Sequence, residues 1–170
     1  ISDFTDDAEL AASYDAEASA LIQQITGAVR VQVFDHTRRA ASQTLRTAQS
    51  MREPSSVIHN DYTQWSAEKR LHEILPDEAD ELVTRRFAII NIWRSIAGRV
   101  QTNPLAFCDS TTLASGDLVE VTRQAKDRVG QIQMARFNPD HEWYYFPGME
   151  ESEVALIKTY DSATDGRNRF

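Results

Sequence analysis

The sequence has one cysteine, five prolines and no apolar run long enough to cross a bilayer. Because Cys108 has no second cysteine to pair with, an intrachain disulfide is impossible. This fits a reducing compartment, and we expect a cytoplasmic protein. A membrane-spanning helix needs about 20 consecutive apolar residues, so we expect no membrane partner.

Positive charge is also scarce. The 18 lysines and arginines are scattered along the chain and are outnumbered by 26 acidic residues, which gives a formal net charge of -8. Since nucleic-acid binding requires a positive surface, this balance argues against a nucleic-acid partner. Ordinary solubility is a sufficient explanation of the acidity.

The motifs of several enzyme classes are absent as well. The sequence has no glycine-rich phosphate loop, no nucleophile elbow and no CxxC pair. Cys108 has no evident activating base beside it in the sequence, which argues against a thiol nucleophile.

The composition that remains is that of a globular protein. The 170 residues are 41% hydrophobic, enough for one sizeable domain or for most of a larger one. We predict a single domain over residues 1–170. It consists of a helical and strand-forming lead-in over residues 1–56 and a core over residues 57–170.

Hydrophobic spacing predicts the main elements. A helix is expected over residues 14–26, with Asp15 as N-cap and Gly27 at its end. Alternating valines predict a strand over residues 28–36, and a second helix is expected over residues 66–75, with Ser66 as N-cap. Further strands are predicted over residues 57–63, 86–94, 105–109, 116–121, 131–137, 142–146 and 154–160. Many short strands after a helical start indicate a mainly β fold with added helices, a sandwich or a jelly roll.

The segment His59-Asn60-Asp61 has the most chemical content. On a strand, residues two apart point to the same side, so His59 and Asp61 are expected to share a face. An imidazole nitrogen and a carboxylate oxygen on one face can form two corners of the 2-His-1-carboxylate triad that binds non-haem Fe(II). The triplet also occurs by chance, and the alternative is a surface histidine beside a turn aspartate.

Several segments together resemble one known family. They are Thr26–Ala28, Phe34–Thr37, Pro54, His59–Thr63, Arg86–Arg94, Pro104–Asp109, His141–Pro147 and Lys158–Ser162. Their order is similar to that in the mostly fungal hydroxylase/desaturase family, which also takes in gibberellin desaturase-like and cephamycin methoxylase-like proteins. The resemblance runs from about Tyr14 to Phe170, and the ordered set is far more specific than any single segment.

The resemblance implies a double-stranded β-helix, the cupin-like jelly roll, and Fe(II)/2-oxoglutarate oxygenase chemistry with O2. On this basis His59 and Asp61 are the metal ligands. The family pattern places a third ligand, a histidine, and an arginine that binds 2-oxoglutarate beyond Phe170. We therefore expect the jelly roll to be incomplete at the C-terminus of these 170 residues. His141 is a less attractive candidate for the third ligand.

Four residues are candidates for binding 2-oxoglutarate: Asn91, Trp93, Lys158 and Tyr160. Asn91 and Trp93 are two apart on one predicted strand, where the amide can donate a hydrogen bond and the indole can wall a pocket. Lys158 and Tyr160 are two apart on the last strand, where an inward lysine needs an anionic partner. The alternatives are that Asn91 caps a bulge, that Trp93 belongs to the core and that Lys158 extends outward to solvent.

The resemblance predicts an enzyme that hydroxylates, desaturates or rearranges a small-molecule natural product in secondary metabolism. The alternative is a non-catalytic jelly-roll homologue that binds a ligand or supports a catalytic partner subunit. A different metal, or an oxygenase that does not use 2-oxoglutarate, also remains open. A homodimer or a paired subunit is compatible with the aromatic residues around Trp143.

Overall fold

A computed structural model of the chain describes residues 1, 3–124 and 128–165. The chain forms two compact units, Ile1–Ser56 and Val57–Phe170. A single domain over the whole chain stays a prediction. No helix in the described ranges has the length and apolar character needed to cross a bilayer.

The first unit is helical. Its helices are α1 (Asp7–Glu9), α2 (Asp15–Thr26) and α3 (Gln43–Gln49), and a π-helical segment (Leu10–Tyr14) joins the first two. The predicted helix is confirmed, and it ends at Gly27 with a φ of 72°, a left-handed conformation that favours glycine. The prediction of Asp15 as N-cap is wrong, because Leu10–Tyr14 is already helical and Asp15 continues that run. Its carboxylate instead accepts a hydrogen bond from His36 Nε2 at 2.7 Å.

The strand predicted over residues 28–36 is wrong. These residues form neither helix nor strand, and Val29 is 99% exposed. Alternating valines become a strand only where another strand edge accepts their backbone hydrogen bonds. In the first unit the one described bridge joins Arg39 to Arg52.

The second unit is mainly β. Its seven described strands are β1 (His59–Asn60), β2 (Ala88–Trp93), β3 (Ala106–Cys108), β4 (Leu118–Gln124), β5 (Val129–Ala135), β6 (Trp143–Tyr145) and β7 (Ala155–Asp161). They form a three-stranded sheet in the order β1-β5-β4 and two pairs, β2-β7 and β3-β6. All of these pairings are antiparallel. The strands predicted from residue 86 onward are confirmed as elements, with shifts of a few residues at their ends.

Two helices, α4 (Gln64–Ile74) and α5 (Ala79–Leu82), separate β1 from β2. The prediction of Ser66 as N-cap of α4 is wrong, because Thr63 holds that position. Ser66 N–H donates to Thr63 Oγ1 at 3.2 Å, and Thr63 N–H donates to Ser66 Oγ at 2.9 Å. This reciprocal capping box uses both hydroxyl residues, which explains why the sequence pattern pointed to the inner one.

The β2-β7 pair provides much of the core of the second unit. Ile89, Ala155 and Tyr160 are buried, and the Tyr160 ring packs against Phe87 with a centroid distance of 5.2 Å. The ladder contains a register shift between Ile89 and Ile90. Beyond this bulge the pairing continues to Trp93. The middle of β2 is therefore paired with β7.

Candidate metal centre

The strand that carries the His59-Asn60-Asp61 motif is only two residues long. His59 lies opposite Met134 and Asn60 lies opposite Gln133, both in β5. Asp61 follows in a bend, so the predicted strand over residues 57–63 is too long. The expectation that His59 and Asp61 both project from one regular strand is therefore wrong, because Asp61 lies outside the strand.

Side-chain hydrogen bonds fix the bend on the upstream side of Asp61. Asn60 Nδ2 donates to the Tyr62 carbonyl at 2.8 Å and to Gln133 Oε1 at 3.2 Å. The first contact closes a tight turn around Asp61, and the second ties that turn to β5. The backbone of the motif is thus positioned although its strand is very short.

A second anchor lies just downstream. Thr63 Oγ1 donates to Gln131 Oε1 at 3.0 Å, and Ser66 Oγ donates to the Gln131 carbonyl at 2.8 Å. Both hydroxyl residues are buried. Since buried polar groups are costly unless hydrogen-bonded, these contacts hold the start of α4 firmly against β5. Asp61 therefore lies between two fixed points.

The histidine of the motif is oriented by a backbone carbonyl. His59 Nδ1 lies 2.7 Å from the Val57 carbonyl oxygen. A carbonyl can only accept, so Nδ1 carries the proton, and in the neutral imidazole Nε2 carries the lone pair. His59 Nε2 lies 3.3 Å from Asp61 Oδ1. A metal-binding histidine commonly donates its other ring N–H to a carbonyl or carboxylate in this way.

The two carboxylate oxygens of Asp61 have different neighbours. Oδ1 faces His59 Nε2, while Oδ2 accepts a hydrogen bond from Asn91 Nδ2 at 2.7 Å. The side chains of His59 and Asp61 are 20% and 40% exposed. Both groups can therefore be reached from solvent, and their donor atoms converge on one point.

This pair fits a divalent transition metal. Bonds of about 2.1 Å to nitrogen and oxygen place two ligands at right angles about 3 Å apart, close to the separation between His59 Nε2 and Asp61 Oδ1. One imidazole and one carboxylate also match two of the three ligands in the facial triad of non-haem Fe(II). In the ranges that the structure describes, no group of three His, Cys, Asp or Glu residues is placed to hold a metal.

His141 has a different partner. Its Nε2 lies 3.0 Å from Asp117 Oδ2, and its side chain is 3% exposed. Asn138 Nδ2 donates to the same oxygen at 3.0 Å. Hydrogen bonds from His141 and Asn138 hold the pKa of the Asp117 carboxyl below its ordinary value. The histidine thus closes a structural cluster around the start of β4, which leaves it a poor candidate for the third ligand.

Of the predicted co-substrate residues, the structure places Asn91 in hydrogen-bond contact with Asp61 of the proposed metal-ligand pair. Its contact with Asp61 was not foreseen, because 30 residues separate the two in the sequence. Trp93 is the last residue of β2, lies opposite Ala155 and is half-buried. The predicted roles of Asn91 and Trp93 in binding 2-oxoglutarate stay predictions.

Lys158 and Tyr160 lie in β7, near a second charged group. Lys158 Nζ is 3.6 Å from Asp161 Oδ2. Arg86 donates to the same carboxylate through Nε at 3.1 Å and Nη2 at 2.7 Å. Lys158 therefore has an anionic partner within the protein. Its predicted role and that of Tyr160 in binding 2-oxoglutarate stay predictions.

The carboxylate of Asp161 is the buried charge that the sequence pattern did not identify. Its side chain is 0% exposed. The hydrogen bonds from Arg86 lower the pKa of Asp161 from 3.8 to about 2, with a smaller contribution from the Ala163 N–H. An aspartate flanked by aromatic and hydroxyl residues gives no sequence signal for an ion pair with an arginine 75 residues away, just before β2.

A cavity of about 360 Å³ opens beside this ion pair. Its lining includes Arg86, Phe87, Tyr160 and Ser162 but neither ligand of the proposed metal pair. The cavity and the proposed metal-ligand pair thus lie in two different places in the second unit.

Comparisons with known proteins agree on one kind of enzyme. A family model described as Oxidoreductase/YMDC permease-like domain matches residues 1–170. The chain is 28% identical to hydroxylase/desaturase CTB9 of Cercospora beticola, over 92% of this chain and 54% of the relative. It is 31% identical to Fe(II)/2-oxoglutarate-dependent dioxygenase nvfI of Aspergillus novofumigatus, over 92% of this chain and 56% of the relative. The chain thus spans about half the length of these relatives.

A solved structure gives the same result. The structure of the iron and alpha-ketoglutarate-dependent endoperoxidase NvfI matches with a TM-score of 0.85 and 28% identity, over 94% of this chain and 58% of that chain. A second NvfI structure, in a different conformation, matches with a TM-score of 0.82 and 30% identity. This similarity confirms the predicted fold class, a mainly β jelly roll with added helices.

Proposed function

The chain belongs to the oxidoreductase family of fungal hydroxylase/desaturases and Fe(II)/2-oxoglutarate-dependent dioxygenases, and we propose that its protein is an oxygenase that hydroxylates, desaturates or rearranges a small-molecule natural product. The family implies Fe(II), with 2-oxoglutarate and O2 as co-substrates. The relatives' names, which describe enzymes, favour this function over a non-catalytic homologue.

One observation carries the proposal: the convergence of His59 Nε2 and Asp61 Oδ1 at 3.3 Å. Each group has its other polar atom engaged by the protein, the imidazole by the Val57 carbonyl and the carboxylate by Asn91. A surface histidine beside a turn aspartate has no need of such partners. The arrangement is the one that metal sites use to fix the tautomer and direction of their ligands.

The proposed site residues are of two kinds, metal ligands and residues that bind 2-oxoglutarate. His59 and Asp61 bind the metal. We propose that Asn91 and Trp93 on β2 contribute to the 2-oxoglutarate pocket. Lys158 and Tyr160 of β7 stay candidates for the same pocket, although Lys158 pairs with Asp161 and Tyr160 lines the cavity that is separate from the proposed metal-ligand pair. When bound, Fe(II) with 2-oxoglutarate and O2 supplies the oxidising power to remove hydrogen from a substrate C–H bond, with succinate and CO2 as by-products. The protein groups orient the ligands and shape the pocket.

Three further features belong to the same proposal. The third metal ligand and the arginine for 2-oxoglutarate are expected beyond Phe170. A cytoplasmic location is part of the same proposal, since a single cysteine in these 170 residues fits a reducing compartment. Hydroxylation, desaturation and rearrangement differ in the fate of the substrate radical, and the names of the relatives include hydroxylase/desaturases as well as an endoperoxidase.

The test is an anaerobic titration of the intact, metal-free protein with Fe(II) and then with 2-oxoglutarate, followed by visible absorption. We expect a weak charge-transfer band that needs both additions and is lost in His59→Ala. The matched control is His72→Ala, because His72 is an exposed histidine that pairs with Asp80 on α5. If the folded protein gives no band, the proposed function is wrong. If His59→Ala keeps the band, the assignment of His59 as a metal ligand is wrong.

A further inference from the structure

The amide of Asn91 donates a hydrogen bond to one of the proposed metal ligands, 2.7 Å from Nδ2 to Asp61 Oδ2. The two residues come from different elements. Asn91 lies in the middle of β2, opposite Ile157 of β7, whereas Asp61 lies in the bend after β1. The amide is therefore presented by a paired strand to a side chain whose own backbone lies outside any strand.

The chemistry of the donor matters. A carboxylate that accepts a hydrogen bond from a neutral amide keeps its full negative charge for a metal. An arginine or lysine at the same place would compete with the metal for that charge. An amide therefore sets the direction of Asp61 without weakening it as a ligand.

The hydrogen bond from Asn91 also determines which carboxylate oxygen of Asp61 faces His59. With Oδ2 held by Asn91, the oxygen that faces His59 Nε2 is Oδ1. A carboxylate held by one oxygen binds a metal through the other, and chelation through both would take up a coordination position. A facial triad must leave three positions open for co-substrate and O2.

We infer that Asn91 is a positioning residue that keeps Asp61 a one-oxygen ligand and so preserves an open coordination position on the metal. The inference rests on the proposed function, since it assumes that His59 and Asp61 bind the metal. The Asn91 amide carries two N–H groups, so this role is compatible with its predicted hydrogen bond to 2-oxoglutarate.

The test uses Co(II), whose visible absorption reports coordination number and geometry, with the intact metal-free protein. Asn91→Ala should weaken Co(II) binding about 10- to 100-fold, the usual effect of removing a ligand's hydrogen-bond partner. The bands should also change position and intensity, because the released Oδ2 can join the coordination sphere. Neither change requires enzymatic turnover.

Asn138→Ala is the matched control. It removes the same kind of bond, from an asparagine amide to Asp117 Oδ2 at 3.0 Å, within the same unit. We expect it to leave Co(II) affinity and spectrum unchanged. If Asn91→Ala does not fold, Asn91→Leu carries the test, because leucine has a similar size, no donor and a good fit to a half-buried strand.

The outcomes separate the two claims. If wild-type protein binds Co(II) and folded Asn91→Ala or Asn91→Leu binds it with the same affinity and spectrum, the inference is overturned and the proposed function stands. If Asn138→Ala weakens binding as much as Asn91→Ala, the effect is a general loss of structure and the inference is overturned. If the folded wild-type protein binds neither Co(II) nor Fe(II), the proposed function fails and the inference falls with it.

Discussion

The buried carboxylate of Asp161 should make a measurable, pH-dependent contribution to stability. The side chain is 0% exposed and accepts two hydrogen bonds from Arg86. Its isosteric replacement, Asp161→Asn, removes the charge and points an NH2 group at a guanidinium that can only donate. We expect the variant to have a lower free energy of unfolding at neutral pH.

The pKa shift gives the magnitude. The pKa of Asp161 falls from 3.8 to about 2, and about 1.4 kcal/mol per unit makes the upper limit about 2.5 kcal/mol. The Arg86 guanidinium is 57% exposed, so water screens part of the attraction. The expected loss in Asp161→Asn is therefore about 1–2 kcal/mol.

The sign of the pH dependence follows from the lowered pKa. The folded state binds this proton less readily than the unfolded state, so the stabilisation is fully present above about pH 4. It is lost as the pH falls through the folded-state pKa of about 2. The stability difference between wild type and Asp161→Asn should be constant from pH 7 to pH 5 and should shrink below pH 4.

Urea unfolding at a series of pH values measures this difference. Glu81→Gln is the matched control, because the same chemical change there removes an exposed ion pair with Arg85, and such pairs contribute little. The reasoning is refuted if Asp161→Asn costs no more than Glu81→Gln, or if its cost is the same at pH 7 and pH 3.

Two further predictions concern local stability. Thr63→Val removes a buried hydroxyl that caps α4 and bonds Gln131, so it should cost about 1–2 kcal/mol in urea unfolding; an unchanged midpoint would count against the capping box. Gly27→Ala should cost about 1 kcal/mol because Gly27 has a φ of 72°, and Gly116→Ala, at a glycine without a positive φ, should cost clearly less.

Local patterns in the sequence were enough to predict several elements. The apolar run around β2 and the glycine after α2 were identified correctly, because burial and a left-handed turn leave signals within a few residues. The strand over residues 28–36 was wrong, because a strand depends on a partner that the alternation of valines cannot reveal. The prediction of Ser66 as N-cap was wrong because Thr63 and Ser66 cap the helix together, through two reciprocal hydrogen bonds.

The candidate site, too, could be predicted only in part from the sequence. His59 and Asp61 were predicted from two positions in a five-residue segment and from resemblance. The contacts that orient them were not, because the Asn91 contact spans 30 residues and that of Asn60 with Gln133 spans 73. Such contacts depend on strand pairing and register, which a single sequence specifies only weakly.

The short length of β1 gives these distant contacts their importance. A two-residue strand makes too few ladder hydrogen bonds to fix the side chains at its end. Here Gln131 and Gln133 of β5 hold the turn on both sides of Asp61, and Asn91 of β2 holds its carboxylate. The ligand geometry is therefore a property of strand packing more than of the motif. It follows that a change at Gln133 should disturb metal affinity, although the described hydrogen bond of its side chain is with Asn60 and not with a proposed ligand.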